Sequence, residues 1–507
     1  MPADGYVGAL DIGTSSVRAL LFDTGAGQVP DVEVHLPYQP RVAADGTYET
    51  DAGRLFRLVG SAVDALLQEA GPRRRSRIRA MGVSTFWHGL VGADAGGKAL
   101  TPLYLWADTR SWRESDELRR TLDPDAVHQR TGCLLHPTYW PAKLLWLKRG
   151  EPVLWRRRPR WLSFWDLVHQ HLFGRAVTGV SLASGTGLLD LADCGWDGEL
   201  LRLLEVGEEQ LPELGESGQG LARQFAVRWP DLRNVPWVCA AGDGALANLG
   251  SNCVDPTQRA LTVGTSGALR VLYRGMPKRV PEGLWCYRLD RDRVVVGGAL
   301  SNGGNLYAWL TRTLAVELPR LEARLRRYRP VSTGLTFVPL LAGERSPGFA
   351  SHATGSIAGL TQATTAADMV RAGLEATAIE FARVDQRLDQ VLPGARRLVA
   401  NGAGLLASPA WMQIMADAIG RPVAESKARE ASSRGAAIFA AEHLGVLDGD
   451  KLRTEVGRTY RTAAAAHAAY RLQTARQEEL YRLLIHDRAL DAGDAILNVR
   501  PATGETK

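Results

Sequence analysis

Two carboxylates stand where an apolar run meets a turn of small residues. Asp11 closes the run at 7–12 and leads into Gly13-Thr14-Ser15-Ser16, after which a second β-rich run occupies 17–22. Two such runs around a four-residue turn predict a hairpin. Its tip offers backbone N–H groups beside Gly13 and the hydroxyls of Thr14 and Ser15, a set suited to a phosphate. Asp11 would then sit near phosphate-bound Mg2+, through water, because that ion keeps much of its hydration shell. Asp243 lies between Gly242 and Gly244, where a strand predicted at 235–240 passes into an Ala/Leu-rich helix. Phosphoryl transfer to an alcohol needs a carboxylate within hydrogen-bond reach of the attacking hydroxyl. A helix N-terminus keeps that carboxylate ionised. Each feature also has a plain reading: a β-turn with Asp as turn former, and a helix N-cap at 243.

The first hairpin has a copy. GTSSVRALLF at 13–22 lies over GTSGALRVLY at 264–273 without a gap, which points to two related halves. Gly264 and Thr265 thereby join Gly13, Thr14 and Ser15 as phosphate contacts, and two such tips facing one cleft form a coherent nucleotide site. Neither a Walker A sequence nor the protein-kinase motif set is present. A rival lies at 401–407, where NGAGLLA matches the dinucleotide fingerprint after a strand, with Glu425 at the ribose position. That match is a lone one and leaves both hairpins unexplained. Gly402, Ala403 and Gly404 are better used to lay backbone flat against a base and ribose. Trp87-His88-Gly89 and Trp106-Ala107-Asp108-Thr109-Arg110 combine indole faces with His, Asp and Arg, as a polyol pocket requires. Taken singly, each of these residues also fits a structural role.

The elements around these groups alternate. Positions 54–69 carry Leu55, Leu58, Val59, Ala62, Val63, Leu66 and Leu67 at helical spacing, and 78–83 follows as a strand. A long helix is predicted at 368–392 with Val370, Leu374, Phe381 and Leu388 on one face, then a strand at 398–400 and a helix from Pro409. Strand–helix alternation over 507 residues predicts an α/β protein of two large domains, 1–252 and 253–507, the second ending in a helix and tail. Glycine is in surplus, 53 residues against a typical ~7%, and such a surplus marks backbone that turns sharply or approaches a ligand. The net charge of +6 is spread along the chain; only 73–75 and 155–160 cluster, with no zinc or helix-turn-helix pattern, so no nucleic-acid partner is expected. The five cysteines form no CxxC or ligand set, which fits a reducing compartment. The uncharged stretch 398–416 contains Asn401, Ser408, Pro409 and Gln413 and is no membrane span, and no signal peptide is evident. A cytoplasmic protein without membrane partners is expected.

DIGT at 11–14, WHG at 87–89, WADTRS at 106–111, GDG at 242–244, VGTSG at 263–267, LAGERSP at 341–347 and NGAGLLASPAWMQIMADAIGRPV at 401–423 occur in this order. Jointly they resemble the FGGY family of carbohydrate kinases over about 11–440. The resemblance implies two ribonuclease-H-like domains of the actin/hexokinase type flanking a central cleft that closes on its ligands. Sugar would lie in the first domain and ATP mostly against the second. Asp243 falls at the catalytic-base position, and Asp11, with Asp243, at the Mg2+ position. Thr14 and Thr265 fall on the phosphate hairpins, Gly402, Ala403, Gly404 and Ser408 on the adenosine segment, and His88 and Trp106 on the sugar side. The turn at 299–305, with Asn302, is similar to gluconokinase-type members; Gly89 is similar to xylulokinases. Trp87 replaces a methionine usual before this His, which reshapes the sugar pocket. The expectation is ATP- and Mg2+-dependent phosphorylation of a small sugar, sugar acid or polyol, gluconate-like first, with a ketose or cyclitol as the alternative. A nucleotide-binding regulator without transfer activity and an NAD(P) oxidoreductase are the competing classes. A homodimer is compatible with this reading.

Overall fold

The structure is a computed structural model that describes residues 5–316, 318–350 and 353–486. Counting the strands of the two large sheets and the principal helices in chain order, β1 (Tyr6–Ile12), β2 (Ser16–Asp23) and β3 (Gln28–Pro37) form an antiparallel meander. Helix α1 (Ala52–Arg75) then crosses to β4 (Ile78–Thr85), which pairs in parallel with β1. The side chain of Asp51 caps α1, and its buried stripe of Leu55, Val59, Ala62, Val63 and Leu66 covers the meander. The periodic pattern ends near 69 because Gly71 turns to φ 68° just before Pro72 and kinks the last turn. Strands β5 (Ser217–Gly218), β6 (Trp237–Val238) and β7 (Ala241–Gly242) complete a seven-stranded sheet in the order β5-β6-β4-β1-β2-β3, with β7 also on β4. The single strand predicted at 235–240 is therefore two short ones. Cys239 N–H bonds the Glu216 carbonyl at 2.8 Å and diverts the chain, which rejoins β4 at Ala241 and Gly242.

Helix α2 (Asp243–Gly250) leads into the second sheet. Its strands are β8 (Gln258–Val263), β9 (Gly267–Arg274), β10 (Trp285–Arg288), β11 (Arg293–Leu300), β12 (Arg397–Asn401), β13 (Val423–Ser426) and β14 (Val456–Tyr460), in the order β10-β11-β9-β8-β12-β13-β14. The path β8-β9-β11, helix α3 (Ala366–Val391), then β12 parallel to β8 repeats the path β1-β2-β3-α1-β4. A capping box between Thr365 and Asp368 starts α3, and Val370, Leu374, Phe381 and Leu388 are buried as the spacing predicts. Helix α4 (Pro409–Ile419) begins at a proline, helix α5 (Ala431–His443) follows β13, and α6 (Ala464–Tyr481) packs on α4.

Sequence order and packing part company at α5. It leaves the second sheet and lies against β1, β4 and α2, where Ala436, Ala437, Ile438, Ala440 and Ala441 join the core of the first half. The approach is backbone on backbone. A β-carbon at Gly82 would lie 2.0 Å from the Ala436 oxygen, one at Gly250 1.8 Å from the Ala431 oxygen, and one at Gly435 1.9 Å from the Leu246 oxygen. Edge strand β10 makes a second link, because Trp285, Tyr287 and Leu289 are buried in the first half's core. The crossing is testable. Gly435→Val forces two methyls into the Leu246 carbonyl and is expected to lower the melting temperature by several degrees, since overpacking costs about 1–3 kcal/mol or more. Gly150→Ala, whose β-carbon meets nothing within 4 Å, should leave it within about a degree. A Gly435→Val protein that melts with the wild type contradicts the close crossing.

Candidate active site

Both hairpins form as the turn chemistry predicts. Gly13 N–H bonds the Ser16 oxygen at 2.9 Å, and Tyr38 braces the tip by donating to the Gly13 oxygen at 2.6 Å. Gly264 N–H bonds the Ser266 oxygen at 3.0 Å, and Gly304 and Asn305 donate back to the Gly264 and Thr265 oxygens. Thr14 and Ser15 from one tip, Gly264, Thr265 and Ser266 from the other, and Asp243 line one cleft of about 610 Å3 between the two sheets. Trp87, His88 and Trp106 line it too. A surface hollow of about 690 Å3 bounded by Ser76, Asp231 and Arg233 contains none of these groups.

Asp243 is the first residue of α2, and Gly242 rather than Asp243 is its N-cap. The Asp243 carboxylate accepts from Gly244 N–H at 2.6 Å. Burial pushes its pKa up, while the positive charges of Arg270 and Arg345 work in the opposite direction. Asp11, at the end of β1 and 8% exposed, is pushed up to about 6, mainly by burial, with the Asp243 charge adding to the effect. Two buried carboxylates, one of which raises the other, suit a shared cation. Among the described residues no group of three or more His, Cys, Asp or Glu forms a cage. One or two carboxylates beside hydroxyl-bearing hairpins match an ion that arrives on phosphates and keeps water.

The GDG turn is shaped by Trp87. Its indole N–H donates to the Ser181 oxygen at 2.9 Å, and the Ser181 hydroxyl accepts from Gly242 N–H at 3.2 Å. A β-carbon at Gly242 would lie 1.8 Å from the indole, one at Gly244 2.7 Å and one at Gly185 2.3 Å. The ring's packing continues onto Tyr287, with ring centres 4.9 Å apart. Trp87 is thus a wedge against the turn that carries Asp243, as well as a wall of the cleft. His88 has φ 68°, and its Nδ1 lies 2.5 Å from the Gly185 oxygen. A carbonyl can only accept, so Nδ1 carries the proton and Nε2 is an acceptor. Burial lowers the His88 pKa to about 3, so the ring is neutral.

Other predicted residues lie elsewhere. Asp108 and Arg110 do not line the cleft. Arg110 pairs with Asp108 and Glu49 at 2.6 Å each and lies over the rings of Tyr104 and Trp146, while Asp108 accepts from Tyr48 N–H. This network stands behind the Trp106 wall. The Asn302 amide bonds Gly343 O and Ala342 N at 3.0 Å each, fastening that turn to the end of β11. Gly402 has φ 99° at the end of β12, and its β-carbon would lie 2.2 Å from the Val263 oxygen at the root of the second hairpin. Ala403 and Gly404 belong to the four-residue helix Ala403–Leu406, too short for the dinucleotide design. Ser408 caps α4 and donates to Glu322 at 2.7 Å; Glu425 accepts from the Tyr460 hydroxyl. Sequence reasoning gave no role to Arg270, His136, Tyr139, Tyr287 or Arg345, all of which line the cleft. Arg270 lay in the aligned hairpin copy and Arg345 in LAGERSP, so both were within reach of it.

Residues 6–250 match the N-terminal domain of the FGGY family of carbohydrate kinases, and residues 260–443 match its C-terminal domain. The chain belongs to the FGGY family of carbohydrate kinases. A Bacillus subtilis (strain 168) gluconokinase is 29% identical over 487 residues, 92% of this chain and 94% of the relative. A gluconate kinase from Lactobacillus acidophilus superposes with TM-score 0.88 at 26% identity, covering 96% of this chain and 100% of the other. A ligand-bound xylulose kinase from Lactobacillus acidophilus gives the same values. This FGGY protein is therefore a sugar or polyol kinase with the two-domain actin/hexokinase-like fold, and the family's chemistry draws on ATP. The oxidoreductase reading falls with that assignment. No helix among the described residues is long and apolar enough to cross a membrane.

The wedge predicts a rescue. Gly242→Ala should cut kcat about 100-fold, because a displacement of ~1 Å at a reacting group costs that much. Adding Trp87→Leu should recover at least about fivefold, as the methyl then has room. Unchanged turnover in Gly242→Ala would mean that the indole does not position Asp243.

Proposed function

We propose that this kinase transfers the γ-phosphoryl group of ATP to a terminal hydroxyl of a gluconate-like polyhydroxy acid, with Asp243 as the base. One observation carries the proposal: the Asp243 carboxylate and both hairpin tips line the same cleft. The hydroxyl oxygen attacks the γ-phosphorus in line, its proton passes to the Asp243 carboxylate, and ADP leaves with the electrons of the broken P–O bond. Backbone N–H groups of Thr14, Ser15 and Thr265 at the two tips, together with the hydroxyls of the same residues, hold the phosphates, while the N–H groups of Gly13 and Gly264 close the turns. Gly402 and the short helix at 403–406, which holds Ala403 and Gly404, border the root of the second hairpin, where adenosine would lie, and Ser408 follows at the start of α4. Mg2+, when bound with the nucleotide, neutralises charge on the phosphoryl oxygens; Asp11 and Asp243 are the carboxylates that would hold it. His88 Nε2 accepts a substrate hydroxyl, and the Trp106 face packs on C–H groups. The division at 252/253 would then separate a polyol-binding half from a nucleotide-binding half, with α5 as the exception.

A sugar acid is favoured by the gluconokinase and gluconate kinase among the relatives. The xylulose kinase at equal TM-score favours a ketose as the second reading. All five cysteines are free and buried, which supports a reducing compartment such as the cytoplasm. ADP release screened over aldonic acids, ketoses, polyols and cyclitols should be greatest with gluconate. Asp243→Asn should bind ATP within about threefold of wild type and lose at least ~1,000-fold in kcat, the scale for loss of a catalytic base. An Asn variant that keeps most of its turnover would contradict the base assignment.

A further inference from the structure

Most buried arginines of this protein face a carboxylate: Arg259 with Asp385, Arg293 with Glu442, Arg371 with Glu375, and Arg383 with Glu380. Arg345 does not. Its Nη2 donates to the Leu300 oxygen at 3.1 Å, its Nε has no partner, and no described carboxylate pairs with it. The guanidinium instead lies 4.3 Å from the centre of the Trp106 ring, on the cleft wall. Burial lowers its pKa to about 10, so it is still a cation at neutral pH. A cation with a shielded, unpartnered nitrogen is costly, and the cost is recovered when a ligand brings the counter-charge.

A second donor stands beside it. His136 is 4% exposed and lines the same cleft. Its Nδ1 lies 3.2 Å from Thr138 N–H, which can only donate, so the ring proton is on Nε2, and Nε2 has no partner. The Thr138 hydroxyl is shared between that Nδ1 and the Trp106 oxygen, at 3.0 Å each, and buried Lys143 donates to the Thr138 oxygen, which fixes this wall. Arg345 acts electrostatically on His88, His136, Tyr139 and Tyr287 on the polyol side, and also on Asp243. Arg270, buried and also without a carboxylate partner, donates to Thr262 on the second hairpin, which puts it on the phosphoryl side, and buried Arg288 is satisfied by the Leu191 and Arg291 oxygens. Two donors without acceptors on the polyol wall call for an acceptor-only group, and a carboxylate is that group.

Building on the kinase reading of the site, we propose that Arg345 and His136 bind the carboxylate of a polyhydroxy-acid substrate, leaving its far hydroxyl end at Asp243. They are specificity-determining residues, and Arg345 brings its contact from the second half of the chain onto a wall built by the first. The test compares gluconate with glucitol, in which the carboxylate is a CH2OH group and the terminal hydroxyl is unchanged. The ratio of kcat/KM for gluconate to that for glucitol should fall about 10- to 100-fold in Arg345→Gln, the worth of a hydrogen-bonded charge, and mainly through KM. Arg345→Lys should fall between Gln and wild type, since it keeps the charge and loses the fork. His136→Phe should lower the same ratio about fivefold. Gluconate titrated without ATP, followed by tryptophan fluorescence, gives the binding readout. A wild-type enzyme that phosphorylates neutral polyols and neither binds nor phosphorylates gluconate overturns the carboxylate assignment alone. So does an Arg345→Gln enzyme that loses the same factor on both substrates. An enzyme that phosphorylates nothing, yet binds gluconate in an Arg345-dependent way, overturns the kinase reading and leaves the assignment standing.

Discussion

The arrangement depends on two helices crossing at backbone contact. Helix α2 begins at Asp243 and ends at Gly250, whose α-carbon faces the Ala431 carbonyl of α5; Gly435 of α5 faces the Leu246 carbonyl of α2. Any side chain at those glycines would push the helices apart. Ion pairs and hydrogen bonds hold the same seam: Arg18 with Glu430 at 2.6 Å and Arg434 with Asn252 at 3.1 Å. The crossing fixes how the first sheet, which ends in Asp11 and Asp243, meets the second, which carries the other phosphate hairpin. Without it the two tips would have no common cleft.

The cleft is divided by charge. On the side proposed for the phosphates are hairpin N–H groups, hydroxyls and Arg270; on the side proposed for the polyol are two neutral histidines, the faces of Trp106 and Trp87, and Arg345. Between them stands Asp243, with burial raising its pKa and the arginines lowering it. A carboxylate in such a site is poised because opposing effects act on it, not because it is simply buried or simply paired. The Trp87 wedge adds a steric constraint, since the turn bearing Asp243 tolerates no β-carbon at Gly242.

Turn chemistry and periodicity made much of this legible in the sequence. The hairpins at 13–16 and 264–267, helix α3, strand β12 and helix α4 follow from local pattern, and the duplicated hairpin announced the two related halves. What was not legible depends on contacts between distant residues. Nothing local to Gly82 or Gly435 says that α5 returns to the first core, nor that Trp285 and Tyr287 sit beneath it. Trp106 lines the cleft while Asp108 and Arg110, in the same motif, turn away, because a WADTR pattern does not say which side chains face inward. The glycine surplus had two meanings, only one of which was visible. Gly13, Gly264 and Gly402 serve turns near the expected phosphate and nucleoside, whereas Gly82, Gly250 and Gly435 serve helix approach.

The central claim is that one cleft brings a phosphoryl donor on two hairpins to an acceptor hydroxyl at Asp243. A crystal structure with a non-hydrolysable ATP analogue, Mg2+ and gluconate tests it most directly. The account predicts the γ-phosphorus between the tips at 13–16 and 264–267, and a terminal gluconate oxygen within about 2.6–3.2 Å of the Asp243 carboxylate. A phosphate chain bound off both hairpins, with no gluconate oxygen in hydrogen-bond reach of Asp243, would contradict it.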